Sequence, residues 1–417
     1  MSTEQSVRLQ ELLAYLRLHS PFYRELFARH DIDIATIRTA DDLTRIPVTT
    51  KEDMQQRNDD FLCVPRGRVI EYTSTSGTLG SPVTIPLTEN DLLRLALNEY
   101  GSFTCADGSA SDVFQLMLTL DRQFMAGMAY YSGIRKLGAG IIRLGPGVPS
   151  LQWETIRRLQ PTAIVAVPSF ILKLIGYAFE HNIDVNASSV RKAICIGENI
   201  RNPDFSLNII GRKIRESWNI DLYSTYASTE MQTAFTECGH GQGGHLQPTL
   251  LIAEVLDENN RPVGPRTPGE LTITTLGVEA MPLLRYKTGD VCMFFEEPCG
   301  CGRTSIRLSP ILGRRKQMIK FKGTTLYPPA LFDLLTEMDL VVDFVVEVYS
   351  NELGLDEVLL HVLPAVDSEE AHGKIRAYLQ ARLRVSPSVR FVAAADLQKM
   401  QFPEASRKVI KFIDKRG

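Results

Sequence analysis

The stretch TAIVAVPSFILKLIGYAF, Thr162 to Phe179, changes period in its middle. Its first six residues form a short apolar run of the kind found in a strand covered on both faces, whereas from Ser169 onward the apolar residues return at helical spacing. VFQLMLTL (Val113–Leu120) upstream and KAICIG (Lys192–Gly197) downstream repeat the strand signal. From about Ser111 to Asp221 the chain therefore reads as α/β, with strands in a buried sheet. Further on, LLIAEVLD, GELTITTL and VCMFF, between Leu246 and Phe295, are strand-like and punctuated by Asn259, Pro262, Gly264 and Gly269. Their pattern predicts a β-rich subdomain over about 246–312, so the architecture changes near His245.

A further boundary is expected at Gly313 to Arg315. After it the chain reads as a helix from Pro329 to Met338, strands in DFVVEVYS and EVLLHVLP, a second helix and a strand. The second helix is expected to start with Asp367 and Glu370 in a capping box and to put Ala371, Ile375, Leu379 and Leu383 on one face. The expectation is a large N-terminal α/β domain, 1–313, followed by a small mobile α+β domain, 314–417. A length of 417 residues suits two or more domains.

With 46 basic and 49 acidic residues the formal charge is -3, which gives no reason to expect nucleic acid or an anionic membrane as partner. The N-terminal MSTEQSVRLQELLAYLRLHS reads as an amphipathic helix rather than a signal peptide, and no run approaches the roughly 18 apolar residues of a membrane span. Seven cysteines do not suggest a secreted disulfide scaffold. A reducing cytoplasm is the expected compartment, with a homodimer as the default symmetric assembly.

Three short segments carry chemistry. TSTSGTLGSP, Thr73 to Pro82, combines hydroxyls with two glycines, so backbone N–H groups and the hydroxyls of Thr73, Ser74, Thr75, Ser76 and Thr78 can approach phosphate oxygens. It is not a Walker loop, because Gly77 and Gly80 stand two residues apart and Ser81 and Pro82 follow. The same composition describes a solvated turn. STYASTE, Ser224 to Glu230, offers a carboxylate among hydroxyls at a strand end, where Glu230 and Thr229 can hold magnesium or meet phosphate; the alternative is a loop entering a helix, with Glu230 in its first turn. In RYKTGD, Arg285 to Asp290, the aspartate after a glycine turn can accept two hydrogen bonds from the vicinal hydroxyls of a ribose, although Thr-Gly-Asp is also an ordinary turn triplet.

These segments occur in the order found in the acyl- and aryl-adenylate-forming enzymes, and the chain resembles their phenylacetate–coenzyme A ligase branch. SPFYRELFARHDID with IPVTTKEDM (Ser20–Met54) is similar to the N-terminal signature of that branch. TSTSGTLG resembles its phosphate loop, CIGEN (Cys195–Asn199) its nucleotide strand, and STYASTE and RYKTGD its later motifs. CGCGRT (Cys299–Thr304) and the hinge-like GRRKQMIKFKG (Gly313–Gly323) complete a likeness that covers nearly the whole chain.

The resemblance implies ATP-dependent activation of a carboxylic acid, aromatic or otherwise apolar, to an acyl-adenylate, followed by transfer to the thiol of coenzyme A. Loading of a carrier-protein phosphopantetheine, or a degenerate nucleotide-binding member, are the alternatives. It further implies that Thr75, Ser76, Gly77, Thr78 and Gly80 hold phosphates, that Asp290 and Arg314 grip the ribose, and that Glu198, Tyr226, Ala227 and Ser228 line the nucleotide. Lys408 takes the role of the C-terminal catalytic lysine, Lys316 that of the hinge, and Phe124, Gly127 and Tyr131 that of the acyl pocket. Three positions depart from the pattern: Ser81 replaces the loop lysine, Asn199 a proline and Arg407 a glycine. Separately, Cys238, Cys299, Cys301 and either His240 or His245 could make a tetrahedral structural zinc site, since thiolates and imidazole suit that metal.

Overall fold

The computed structural model describes residues 2–75, 83–321, 324–352, 355–383, 385, 387–402 and 409–416. The chain divides into two compact units, Met1–Ile311 and Leu312–Gly417. The first is built on a nine-stranded mixed sheet. Five of its strands are parallel, in the spatial order Gly140–Arg143, Val113–Leu116, Ala163–Ala166, Lys192–Ile196 and Asp221–Ser228. Helices Met125–Leu137, Pro149–Leu159, Pro168–Glu180 and Ile209–Ser217 lie between successive parallel strands in the chain. The decisive stretch divides as its period suggests: Ala163–Ala166 is buried throughout, and the helix begins with Pro168 in its first turn, where the missing N–H costs no helical bond.

After Ser228 the chain reverses through a turn at residues 229–232 and returns as Thr233–Thr236, antiparallel to Asp221–Ser228. Short strands Gly244–His245, Arg307–Leu308 and Phe294–Phe295 extend the sheet from there. The expected β-rich subdomain is thus only partly separate, since its last two short strands belong to the large sheet. Its remaining strands, Leu251–Leu256, Gly269–Thr275 and Tyr286–Cys292, form an antiparallel meander.

The meander shares its core with the N-terminal helices. Thr3–His19, capped by a reciprocal Ser2–Gln5 pair, and Pro21–Arg29 bury Leu9, Leu12, Leu13, Leu16, Phe22 and Tyr23 in one cluster with Leu271, Ile273, Leu283, Leu284 and Tyr286. Each such side chain contributes about 1.5–3 kcal/mol when fully buried. Polar ties fix the register: Tyr15 Oη donates to the Glu279 carbonyl at 2.9 Å, and the Leu284 N–H donates to Tyr23 Oη at 2.9 Å.

The second unit is a four-stranded sheet in the order Ser388–Phe391, Asp356–Pro364, Val341–Ser350, Phe412–Lys415, with helices Pro328–Thr336, Glu369–Leu383 and Ala394–Gln401. Ala371, Ile375, Leu379 and Leu383 are buried on one helix face. The helix start differs from expectation: the Ser368 hydroxyl, not Asp367, accepts the Ala371 N–H, and Asp367 pairs with His372 instead. A hydroxyl one residue nearer the first turn reaches the orphan donor better than a carboxylate outside it.

Candidate active site

In an open parallel sheet, ligands bind beyond the carboxyl ends of the strands. Two of the strand ends here are Ile196 and Ser228, and the expected nucleotide motifs follow directly from them. Two of the local expectations change in form. STYAS is not a loop entering a helix: it is the second half of strand Asp221–Ser228, and Glu230 sits in the turn before Thr233–Thr236. The small polar residues conceal only how far this strand runs, and Thr225 faces its buried side. Asp290 likewise lies within strand Tyr286–Cys292 rather than at a reversal. Gly289 takes a φ of 80° there, and the pairing register shifts opposite Glu270–Thr272. That irregularity re-aims the side chain as a bulge does.

Glu230 and Asp290 each meet a tyrosine from the other's strand system. Tyr226 Oη donates to Asp290 Oδ2 at 2.7 Å, and Tyr286 Oη lies 3.5 Å from Glu230 Oε1. Burial, followed by the nearby carboxylate, raises both phenols above their ordinary range, so both stay protonated as donors. Lys51 brings its Nζ to 3.8 Å from Glu230 Oε1. The segment that carries it lies along the strand of Asp290: Thr49 forms an isolated parallel bridge with Tyr286, donates its N–H to the Arg285 carbonyl and accepts from the Lys287 N–H. Lys51 belongs to the quoted N-terminal signature, which by itself assigns it no role. The signal that could have found it is the cation missing at Ser81.

Arg285, at the head of RYKTGD, turns into the core instead. It is 1% exposed and grips Glu254 through two nitrogens at 2.9 and 3.1 Å. Breaking a buried pair of this kind costs about 3–5 kcal/mol. The Glu198 carboxylate accepts from the N–H and the hydroxyl of Ser169, both at 2.8 Å, which caps the helix Pro168–Glu180. Ala227 is exposed, while Ser228 and Thr229 are half-buried.

Ser76, Gly77, Thr78, Gly80 and Ser81 lie outside the described residues, as do Arg407 and Lys408. The root of the loop is described, and its hydroxyls are already used. Thr73 Oγ1 donates to the Ile85 carbonyl, and Thr75 Oγ1 accepts the Val83 N–H. The Ser74 N–H bonds the Gln123 carbonyl, tying the root to the residue before Phe124. Phe124 is partly exposed ahead of helix Met125–Leu137. Gly127 is a packing glycine: a Cβ there would come within 2.3 Å of the Thr119 carbonyl oxygen. Tyr131 stacks near the guanidinium groups of Arg135 and Arg143. Arg314 and Lys316 lie in the second unit, on strand Gly313–Arg314 and the 3-10 turn Arg315–Gln317.

Of the expected zinc ligands, Cys238, His245, Cys299 and Cys301 come together. His240 is exposed and stands outside this group. Burial pushes the Cys238 thiol up to about 12. At Cys301 burial is outweighed by the backbone and side chain of Arg303, which bring the thiol down to about 7. Burial, with Arg303 and Arg307, lowers His245 to about 4, so its ring is neutral at neutral pH.

Known sequences and structures resemble this chain over most of its length. Residues 47–280, more than half of the chain, match the AMP-binding enzyme family. The phenylacetate–coenzyme A ligase of Thermus thermophilus is 30% identical over 86% of this chain and 80% of its own length. That of Escherichia coli is 27% identical over 80% and 76%. A 2-hydroxyisobutyryl-CoA ligase solved in complex with R3-HIB-AMP superimposes with a TM-score of 0.83 at 22% identity, covering 99% of this chain and 89% of the other, a likeness that shows the fold. The chain belongs to the AMP-binding enzyme family. Within that family it falls on the phenylacetate–coenzyme A ligase-like branch and is by class an AMP-forming acid–thiol ligase.

Proposed function

We propose that this chain joins an aromatic or similarly apolar carboxylic acid to coenzyme A at the expense of ATP. In the first step a carboxylate oxygen attacks the α-phosphorus and the bond to the β-phosphate oxygen breaks, giving acyl-adenylate and pyrophosphate. In the second, the thiol sulfur attacks the acyl carbon, the carbon–oxygen bond to phosphate breaks, and AMP leaves as the thiol gives up its proton. The observation that carries the reading is the pairing of Glu230 with Tyr286 and Lys51 beside that of Asp290 with Tyr226.

Each residue has a task in this chemistry. Asp290 can take two ribose hydroxyls, with Tyr226 fixing its orientation. Glu230, with Thr229, would hold magnesium, which supplies neutralisation of phosphate charge. Lys51 offers a cation beside Glu230, in a chain whose phosphate-loop segment has Ser81 in place of the usual lysine. Lys408 is proposed as a donor to acyl and phosphate oxygens, Arg314 as a ribose contact and Lys316 as the hinge position. Phe124 and Tyr131 are proposed to border the acyl group, and Gly127 contributes only by letting the helix pack closely. The free cysteines suit a reducing compartment. No described helix is long and apolar enough to cross a membrane.

The test is acid-dependent exchange of labelled pyrophosphate into ATP over a panel of carboxylic acids, followed by addition of coenzyme A. Exchange with aryl acids and formation of a coenzyme A thioester are expected. Exchange without that thioester assigns the acceptor to a carrier-protein phosphopantetheine, and no exchange with any acid overturns the reading.

A further inference from the structure

Cys238, His245, Cys299 and Cys301 have no step in acid activation, yet their four ligand atoms lie within 4.8 Å of one another. Cys238 Sγ and Cys299 Sγ are 3.6 Å apart, and Cys301 Sγ and His245 Nε2 are 3.5 Å apart. A tetrahedral zinc ion with ordinary bond lengths separates two sulfurs by about 3.8 Å and a sulfur from a nitrogen by about 3.5 Å. A disulfide would need sulfurs about 2.05 Å apart. The observed spacing is that of ligands around a common centre.

Three further observations point the same way. First, His245 is 4% exposed, its Nδ1 has no partner among the described residues, and its Nε2 faces only a sulfur. An imidazole buried with so little hydrogen bonding is costly unless a lone pair is used more strongly, as a metal bond uses it. Second, the Cys299–Gly302 turn presents two sulfurs from one tight reversal: the Gly302 N–H donates to the Cys299 carbonyl at 2.9 Å with Gly302 at a φ of 85°, and the Cys299 N–H donates to the Arg303 carbonyl at 3.1 Å. Third, three thiolates and a divalent ion leave one negative charge, and the Arg303 side chain already bonds Cys301.

We propose that these four residues hold one structural zinc ion, which locks the short strands at this edge of the sheet and thereby fixes Glu237. The strands concerned, Gly244–His245, Arg307–Leu308 and Phe294–Phe295, are two residues long and carry few ladder bonds of their own. Glu237 immediately precedes Cys238. It receives Arg201 through two contacts of 2.9 Å and the Ser224 N–H at 3.2 Å. Arg201 follows the Cys195–Asn199 segment, and Ser224 lies on the strand of Tyr226, so the metal acts as a positioning element for the nucleotide side.

The proposal stands on metal content, and so separately from acid activation. The full chain, purified without a histidine tag, is expected to carry about one zinc per chain, and the cobalt(II)-substituted protein to show visible bands of tetrahedral thiolate coordination. Cys299→Ser and His245→Ala should each lower zinc to below about 0.2 per chain while His240→Ala retains it. In the zinc-free variants the KM for ATP should rise several-fold with kcat little changed. Wild-type protein holding zinc below about 0.2 per chain and giving no cobalt bands overturns the proposal. If the cysteine variants fail to fold, titrating cobalt(II) into chelator-treated wild-type protein reads the same site.

Discussion

One antiparallel pair, Asp221–Ser228 against Thr233–Thr236, has an oxygen-rich site in its turn and a sulfur-rich site just beyond its other end. Glu230 in the turn keeps loose company, with partners at 3.8 and 3.5 Å. Cys238, two residues past the returning strand, is 3% exposed and packed against other cysteines. Hard oxygen donors at weak contact distances can exchange partners at every turnover, while soft donors enclosed in the sheet edge suit an ion that never leaves. On the proposed reading, the same two strands divide reactivity from permanence.

The largest expected effect separates the two ends most sharply. Glu230→Gln and Lys408→Ala should each slow pyrophosphate exchange by on the order of 10² to 10³ while the thermal midpoint stays within about 2 °C. A parent-like rate in Glu230→Gln would break the assignment of this end to chemistry, and one in Lys408→Ala would show that another residue is the catalytic lysine. Asp290→Asn keeps the shape but weakens acceptance from ribose hydroxyls, so KM for ATP should rise by about tenfold, equivalent to about 1.4 kcal/mol. An unchanged KM would leave Asp290 as a partner for Tyr226 alone. Lys51→Ala should have the smallest effect, a several-fold rise in KM for ATP that Ser81→Lys in the same chain partly reverses. If kcat falls and KM does not, Lys51 serves Glu230 rather than the phosphates.

Legibility from sequence followed the strength of local signals. Strand Ala163–Ala166 and helix Pro168–Glu180 announced themselves because burial on both faces and a 3.6-residue period leave different patterns. The strand leading into Tyr226 is legible only in its first half, since the run of Ser, Thr and Ala that continues it to Ser228 carries little apolar alternation. The two-residue strands at the sheet edge lie below the length at which any period exists. Lys51 and Glu230 are 179 positions apart, and their meeting depends on Thr49 pairing beside Tyr286, a long-range register that no local pattern records. The choice between His240 and His245 was likewise open until pairing of His245 with Arg307 and Thr236 turned one ring inward.

The core shared by the first helices and the meander sets a rule for dissecting this protein. The family match begins at residue 47 and ends at 280, yet Leu9, Leu13 and Tyr23 on one side of it and Leu283, Leu284 and Tyr286 on the other fill a single apolar cluster. A gene fragment trimmed to those bounds would discard both halves of one contact and leave strands Leu251–Leu256 and Gly269–Thr275 with a bare greasy face. The smallest piece worth expressing therefore runs past both ends of the recognisable motif, from the Ser2 cap to Ile311, the end of the first unit.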